Sequence, residues 1–541
     1  MSWPQAGKRE ETAMNKTENK KAAHKVPVPL DPETVKWEEE KARAAAYAAK
    51  LRQRFILALS RIKDDQAVIA VIEAVFKYYA LHYNFDIDVM EKELPEAQER
   101  FGREHPLSCE SFELAYAECA KSVLPKWCPE LKARALKVHD WGASGAAGEL
   151  TEIDAAFKFG YSWVEAAVYP LDLDLPGRAI IDSALEMLLG ELSLRQRPAF
   201  ARLHFISSQV RSLLNICASH KREKCDRIYF PFAANLALPI ALAEFFDSGN
   251  QQLLAGIPGI KAQPEAKPLE ITAQPDSEIG ADLGALCYAA ASGQTDVAFA
   301  LEKAGSSAAD NAGFDLILCD LPKTLSAPNP QRGGGEVSAE NEAVNRLLRG
   351  LAPEGEAFIC VSGFLLQRMG RQEVLWREDL ARSGMLCAVL QLPDETYSKS
   401  SAAVRAELLL LIRKTPRKGG EVLMVNAKAF LNQKIANAQD ESDKKTLAYA
   451  DLEHLYALAD GRTEESGVSR LVSCDELEAQ QFILLPELYV RESTGEEKIS
   501  PEQWLESLRA QRQRLCDLEK EADEIRAKFA ELETRFTPLR L

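Results

Sequence analysis

The sequence predicts an α/β fold: a mainly parallel sheet covered on both faces by helices, set behind an all-helical N-terminal domain. Three observations predict it. Strand-like segments are scarce before about residue 220, short apolar runs then alternate with helical patterns to about residue 415, and the chain closes on a long amphipathic stretch. Strands that alternate with helices are joined by crossovers, so they lie parallel, and ligands gather at their carboxyl ends.

The totals bound the class. A chain of 541 residues has room for about two to four domains with cores of their own. Hydrophobic content of 46% and charged content of 27% are those of a soluble globular protein. No apolar stretch reaches the length that spans a bilayer, so a cytoplasmic protein without a membrane partner is expected. Residues 1–30 are polar, lack the apolar centre of a signal peptide, and are expected to form a disordered tail. The 11 cysteines are scattered, without a CxxC pair or histidines at ligand spacing, which points to free thiols and no metal site. A net charge of −16 argues against a general polyanion-binding surface, though an acidic body can still carry a basic cleft.

The elements follow in order. From Asp31-Pro32, "DPETVKWEEEKARAAAYAAKLRQRFILALSRI" is rich in helix formers and reads as a long helix. "DDQAVIAVIEAVFKYYALHY" and "SCESFELAYAECAKSVL" continue the helical pattern, giving a helical domain over 31–170. Two further helices are expected at "GRAIIDSALEMLLGELSL" and "SSQVRSLLNICASH". "DRIYFPFA" then reads as a strand, "NLALPIALAEFF" as a helix, "KPLEITAQPD" as a strand and "IGADLGALCYAAASG" as a helix. "FDLILCDLP", "GEAFICVSG", "LCAVLQLPD", "AELLLLIRKT" and "EVLMVNA" are the remaining strands, with helices at "SAENEAVNRLLRGLA" and "RQEVLWREDLARSG". This α/β domain is expected over 171–490. The tail, 491–541, has a Ser500-Pro501 start, and Trp504, Leu508, Leu515, Leu518 and Ile525 recur at helical spacing. Such a helix packs on its own chain or on a partner subunit.

One segment carries chemistry. In "FDLILCDLPK" the apolar run Phe314–Cys319 stops at Asp320, with Pro322 two residues on. A strand ending in an acid delivers a carboxylate to the rim of the sheet; a plain core strand entering a turn reads the same way locally. Cys319, inside the apolar run, is expected in the core.

Residues from about 170 to 490 resemble the modification subunit of type I restriction enzymes, the N6-adenine DNA methyltransferases. The likeness lies in the order of blocks. "FDLILCDLPK" stands where the family has a strand ending in Asn-Pro-Pro-Phe or Tyr. "LLRGLAPEGEAFICVSGFLLQRMGRQEVLWREDLARSGMLCAVLQLPDETY" follows the downstream pattern, including the L-x-P-x-G before a strand. "AELLLLIRK" and "FILLPELYV" are similar to the segments that close the catalytic domain.

The resemblance implies a Rossmann-like S-adenosylmethionine-dependent methyltransferase sheet with an N-terminal helical domain and a C-terminal long helix. It further implies DNA as substrate, a specificity subunit and a restriction subunit as partners, and S-adenosylmethionine as methyl donor. Adenine's exocyclic amine is a weak nucleophile, because its lone pair is delocalised into the ring. In the family a side-chain oxygen and a backbone carbonyl accept its two N–H groups, prolines fix the carbonyl, and an aromatic stacks on the extruded base. Asp320 and Pro322 match the first two parts, whereas Leu321 stands for the first proline and Lys323 for the aromatic.

At the cofactor loop, "YFPFAANLALP" keeps Pro231, with Ala234, Asn235 and Leu236 where the family has a glycine-rich turn. Leu236 sets a side chain where the family needs none. Asp276, after the next strand, is the candidate for the ribose hydroxyls. Phe205 and Ser207 stand for a Gly-x-Phe/Tyr-x-Thr-Pro stretch. Lys323 and Arg332, the latter in the glycine-rich "QRGGGE", are the candidate nucleic-acid contacts. Two readings stay open: an adenine-N6 methyltransferase subunit, or a silent scaffold of the same fold that contacts DNA or assembles a complex.

Overall fold

The computed structural model describes residues 32–84, 108–141, 149–168, scattered positions between 181 and 206, 208–247 apart from Ala234, 268–291, 295–303, 312–322, 338–393, 407–416, 420–431 and 447–490. The N-terminal part is helical, as the composition predicts: α1 (Pro32–Leu59), α2 (Asp65–Asn84), α3 (Cys109–Val123), α4 (Pro129–Ala135) and α5 (Leu150–Val168). Local chemistry starts them: Ser108 caps α3 by accepting from Ser111 N, and α4 opens on Pro129, whose missing N–H costs nothing there. Phe55, Phe76, Phe157 and Trp163 are buried together where α1, α2 and α5 meet.

This helical part also buries charge. Lys77 Nζ donates to Glu113 Oε1 at 2.8 Å and to the Lys137 carbonyl at 2.6 Å. His139 Nδ1 lies 2.8 Å from Glu113 Oε1 and its Nε2 3.3 Å from Glu73 Oε2, while Trp141 Nε1 donates to Glu113 at 3.1 Å. Burial opposes charge on His139, yet hydrogen bonds and attraction from Glu113 and Glu73 outweigh it and raise its pKa to about 9. Burial acts to raise Glu113, but bonds from His139 and Lys77 prevail and lower its pKa.

The α/β part begins with α6 (Ser208–Lys221), whose Val210, Leu213, Leu214 and Cys217 are buried. Then come β1 (Arg227–Phe230), α7 (Ala237–Phe245), β2 (Glu270–Ala273), α8 (Glu278–Ala289), β3 (Ala298–Leu301), β4 (Phe314–Asp320), α9 (Ala339–Gly350) and β5 (Leu351–Ser362). After these lie α10 (Gly363–Gln367), α11 (Arg371–Arg382), β6 (Leu386–Gln391), β7 (Glu407–Arg413), β8 (Val422–Asn426), α12 (Tyr449–Gly461), β9 (Ser469–Val472), α13 (Cys474–Ala479) and α14 (Pro486–Tyr489).

The nine strands form one sheet, ordered β3-β2-β1-β4-β5-β7-β6-β8-β9. β1 to β5 run parallel, β7 is antiparallel between β5 and β6, and β9 is antiparallel at the edge. The order reverses between β1 and β4, the switch point of a doubly wound sheet, where connections leave in opposite directions and open a crevice. One face is buried by α6, α7, α8 and α12 and the other by α9, α11 and the 482–490 segment. Strands covered on both faces need continuous apolar runs, which β4, β6, β7 and β8 supply.

All seven expected strand segments are strands. The sequence reading missed β3, β9 and the helices α10, α12, α13 and α14. β3 and β9 are four-residue edge strands with mixed exposure, too short to show a period. β5 also starts earlier than "GEAFICVSG": Leu351 pairs with Phe314 across a shift in register. Gly355 sits in that irregularity, where a Cβ would come 2.7 Å from the Phe314 carbonyl, so the glycine of the L-x-P-x-G block is a packing requirement.

Buried apolar residues of the helical part and of the sheet belong to one cluster. The seam is polar as well. Arg134 bonds Asp282 and Glu278 of α8, each at 2.7 Å, and Tyr288 of α8 donates to the Pro125 carbonyl at 2.5 Å. Trp127 sets its ring edge-on to Tyr288 and Phe299, at 4.7 and 5.1 Å between centroids. Among the described residues, no helix is long and apolar enough to cross a membrane.

Candidate active site

β4 answers the question its sequence poses. Leu316 and Leu318 face one side of the sheet, Ile317 and Cys319 the other, and Asp320 is the last residue of the strand, at the carboxyl edge beside the switch point. Asp320 is 8% exposed, with Cys360 of β5 opposite. Leu321 N donates to the Cys360 carbonyl at 2.9 Å, so the chain stays laced to β5 for one residue beyond the strand. A proline at 321 has no N–H for this bond; the leucine makes it and also buries its side chain. Pro322, also buried, restricts the backbone of Leu321 from the other side. The segment lacks one proline and is still fixed at both ends. Cys319 is core, as expected: burial, with Asp320 next to it, pushes its thiol well above the usual range.

The β1–α7 turn leaves the carboxyl end of β1, the strand paired in parallel with β4. After Pro231 the backbone turns left-handed twice, at Phe232 (φ 54°) and at Leu236 (φ 56°), the residue before α7. Each left-handed residue with a Cβ costs about 1–2 kcal/mol. Leu236 is turned away from the carboxyl ends of the strands, toward α8. It is 1% exposed and points into α8, where its Cβ, Cγ and Cδ1 lie 2.6–2.9 Å from where a Cβ on Gly284 would be. A helix glycine is costly; here it makes the space that the leucine takes. Asn235 is buried, and its side-chain oxygen meets Ala237 N at 3.4 Å, at the start of α7.

The end of β2 braces the same turn. Gln274 N donates to the Phe230 carbonyl at 2.8 Å, and Ala233 N to the Gln274 carbonyl at 2.8 Å. The Gln274 side chain accepts from Tyr229 and donates to the Lys303 carbonyl, tying β1, β2 and β3 together. Asp276 follows, half-buried, accepting from Ser277 Oγ at 3.0 Å, and Ser277 in turn caps α8. A carboxylate two residues beyond this tie can accept hydroxyl hydrogens. A nucleoside-bearing cofactor at the carboxyl ends of β1 and β2 would meet this turn and Asp276.

Sequence reading missed a third group. Glu340, in the first turn of α9, is 1% exposed and accepts from Ser362 Oγ, at the end of β5, at 3.0 Å. Arg368, after α10, is 3.3 Å from its other oxygen. Ser362 stands two residues beyond Cys360, the partner of Asp320, and three separate segments supply the cluster, so no local pattern could have announced it. Glycines 280 and 284 in the helical "EIGADLGALCYA" were a readable signal for the close packing of α8.

Asp320, Pro322, Pro231, Asn235 and Asp276 thus gather along the carboxyl ends of β1, β2 and β4. Ala234, Lys323, Arg332, Phe205 and Ser207 lie outside the described residues. A hollow of about 700 Å³ on the far edge of the sheet, lined by Glu464, Glu465, Arg470 and Glu476 among others, is remote from this chemistry. Among the described residues, no group of histidine, cysteine or carboxylate side chains could hold a metal ion.

Residues 337–498 match the family model described as N-6 DNA Methylase. The match spans α9 to α14 and begins beyond Asp320. The family resemblance is borne out over that span, and the Rossmann-like methyltransferase sheet by the strand order. No curated protein matches the sequence. A type I restriction-modification methyltransferase subunit from Streptococcus thermophilus is similar at 13% identity and a TM-score of 0.47, over 81% of this chain and 99% of that one. A chain from a type I R-M system, described for complex assembly and conformational transition, has 14% identity and a TM-score of 0.43, over 89% and 98%. The M protein of the type I restriction enzyme EcoKI has 13% identity and a TM-score of 0.28, over 69% and 88%. At these scores the likenesses add nothing to what the strand order establishes.

Proposed function

We propose that this chain, which carries the N-6 DNA methylase signature over residues 337–498, is the adenine-N6 methylating subunit of a type I-like restriction-modification system. The observation that carries the reading is the position of Asp320 at the switch point, on a segment fixed by Leu321 and Pro322, next to the strand whose following turn packs its Leu236 side chain against α8. That last feature favours the enzyme over the silent scaffold, since the bulky residue at the glycine position is turned into the core.

S-adenosylmethionine would rest on the turn after β1, with Asp276 accepting from its ribose hydroxyls; bound there, it would supply an electrophilic methyl group, whose bond to the sulfonium breaks as N6 attacks and leaves a neutral thioether. The remaining work falls to this chain's own residues. The target adenine must leave the duplex to reach the rim. Asp320 Oδ accepts one N6–H and the Leu321 carbonyl the other, which returns lone-pair density to the nitrogen. The Asp320 carboxylate then takes the proton that N6 sheds as its new bond to carbon forms. Sequence choice belongs to a specificity subunit, and residues 500–541 are the docking element for it.

Titration calorimetry with S-adenosylmethionine, paired with radiolabelled methyl transfer to DNA by the assembled complex, tests this. Asp320→Ala is expected to keep cofactor binding and to lose at least about 100-fold in transfer, as removal of an acid–base group does. A wild-type chain that binds no S-adenosylmethionine at millimolar ligand overturns the proposal.

A further inference from the structure

We infer that Phe364 is the face on which the extruded base stacks, taking the place of the aromatic that the Asp320 segment lacks. The inference rests on the adenine-methylating reading. A base leaving the duplex gives up its stacking, and sites that hold one supply an aromatic in return. The position after Pro322 is Lys323, which has no flat face.

Phe364 stands one strand over, at the same edge. Asp320 is opposite Cys360, β5 ends two residues later at Ser362, and Gly363-Phe364 turns directly into α10. At about 3.3 Å per residue and about 4.8 Å between strands, the backbones of Phe364 and Asp320 are on the order of 10 Å apart. Phe364 is 39% exposed, whereas Leu365 and Leu366 after it are wholly buried.

The ring sits on a fixed support. The buried guanidinium of Arg377 donates to the Leu365 carbonyl at 3.3 Å and to the Phe482 carbonyl at 2.7 Å. Leu484 N donates to the Leu366 carbonyl and Arg368 N to the Phe364 carbonyl, each at 3.1 Å. Glu340 holds the residues on either side of the turn, Ser362 and Arg368. A partly exposed ring whose two neighbours are clamped from three directions has lost its backbone freedom before any ligand arrives, which is what a stacking platform requires.

The probe is a single-stranded oligo(dA), titrated by fluorescence anisotropy into the full chain and its variants. Phe364→Ala is expected to weaken binding by about 5- to 150-fold, the span for loss of one base–aromatic contact. Phe364→Trp is expected to bind as tightly as wild type, with its indole emission quenched on saturation. Phe364→Leu keeps an apolar side chain and should fall with the alanine variant. Equal affinity in wild type and Phe364→Ala, full affinity in Phe364→Leu, or no oligo(dA) binding by wild type would each overturn the inference. Calorimetry with S-adenosylmethionine on the same samples separates the two ideas. Absent cofactor binding defeats the methyltransferase reading whatever Phe364 does, and intact binding with an oligo(dA) affinity indifferent to Phe364 defeats only the stacking role.

Discussion

Replacing Gly284 by alanine asks whether the leucine in the β1–α7 turn keeps its place because α8 makes room for it. The added Cβ would lie 2.6 Å from Leu236 Cδ1, 2.7 Å from Cγ and 2.9 Å from Cβ. The side chain's tip could rotate away, but Cγ and Cβ move only if the turn itself moves. Overpacking of this kind costs about 1–3 kcal/mol, against a gain of about 1 kcal/mol for alanine over glycine within a helix. A net loss of roughly 0–2 kcal/mol in urea unfolding is expected, with a larger relative loss in S-adenosylmethionine affinity, because the turn is pushed toward the ligand. Leu236→Gly alone relieves about 1–2 kcal/mol of left-handed strain but forfeits about 2–5 kcal/mol of buried leucine, so it too destabilises. The double variant should recover part of both losses, with a coupling of about 0.5–3 kcal/mol. Strict additivity in stability, together with unchanged cofactor affinity in Gly284→Ala, would refute the reasoning.

Two further predictions follow from the rest of the molecule. The folded pKa of His139, about 9, lies above its unfolded value near 6.5. Its contribution of about 3 kcal/mol is therefore complete below pH ~6.5 and lost as pH rises through ~9. Thermal midpoints at pH 6 and pH 9.5 should differ in wild type and converge in His139→Gln; an equal difference in both proteins would deny the network this role. Deleting residues 500–541 should release a specificity partner in pull-down while leaving the thermal transition of the remainder in place, and loss of the whole fold would show that the segment belongs to the core instead.

Much of the sheet was legible because a strand buried on both faces must be an unbroken apolar run, and "FDLILC", "AFICV" and "LLLLI" can be little else. The acid at the end of β4 was legible for the same reason: a charge cannot continue such a run, so Asp320 marks where the strand reaches the rim. The edge strands β3 and β9 were not, since four residues of mixed exposure carry no period. Nor was the rim cluster: Glu340, Ser362 and Arg368 come from three segments, and each reads alone as a surface residue.

Leu236 shows most clearly where local reading ends. By sequence it is a bulky residue at a position that calls for none, and steric reasoning along the chain sends it into the cofactor hollow. The residue that decides its direction, Gly284, stands on another helix, beyond the intervening β2. The sequence by itself determined the strand order's raw material, the acid at the rim and the family's block order, because burial and turn chemistry act on neighbours in the chain. Which side of the backbone Leu236 occupies, and which residues meet Glu340, was decided only in the tertiary structure. Excluded volume and buried hydrogen bonds act between atoms close in space, whatever their separation along the chain.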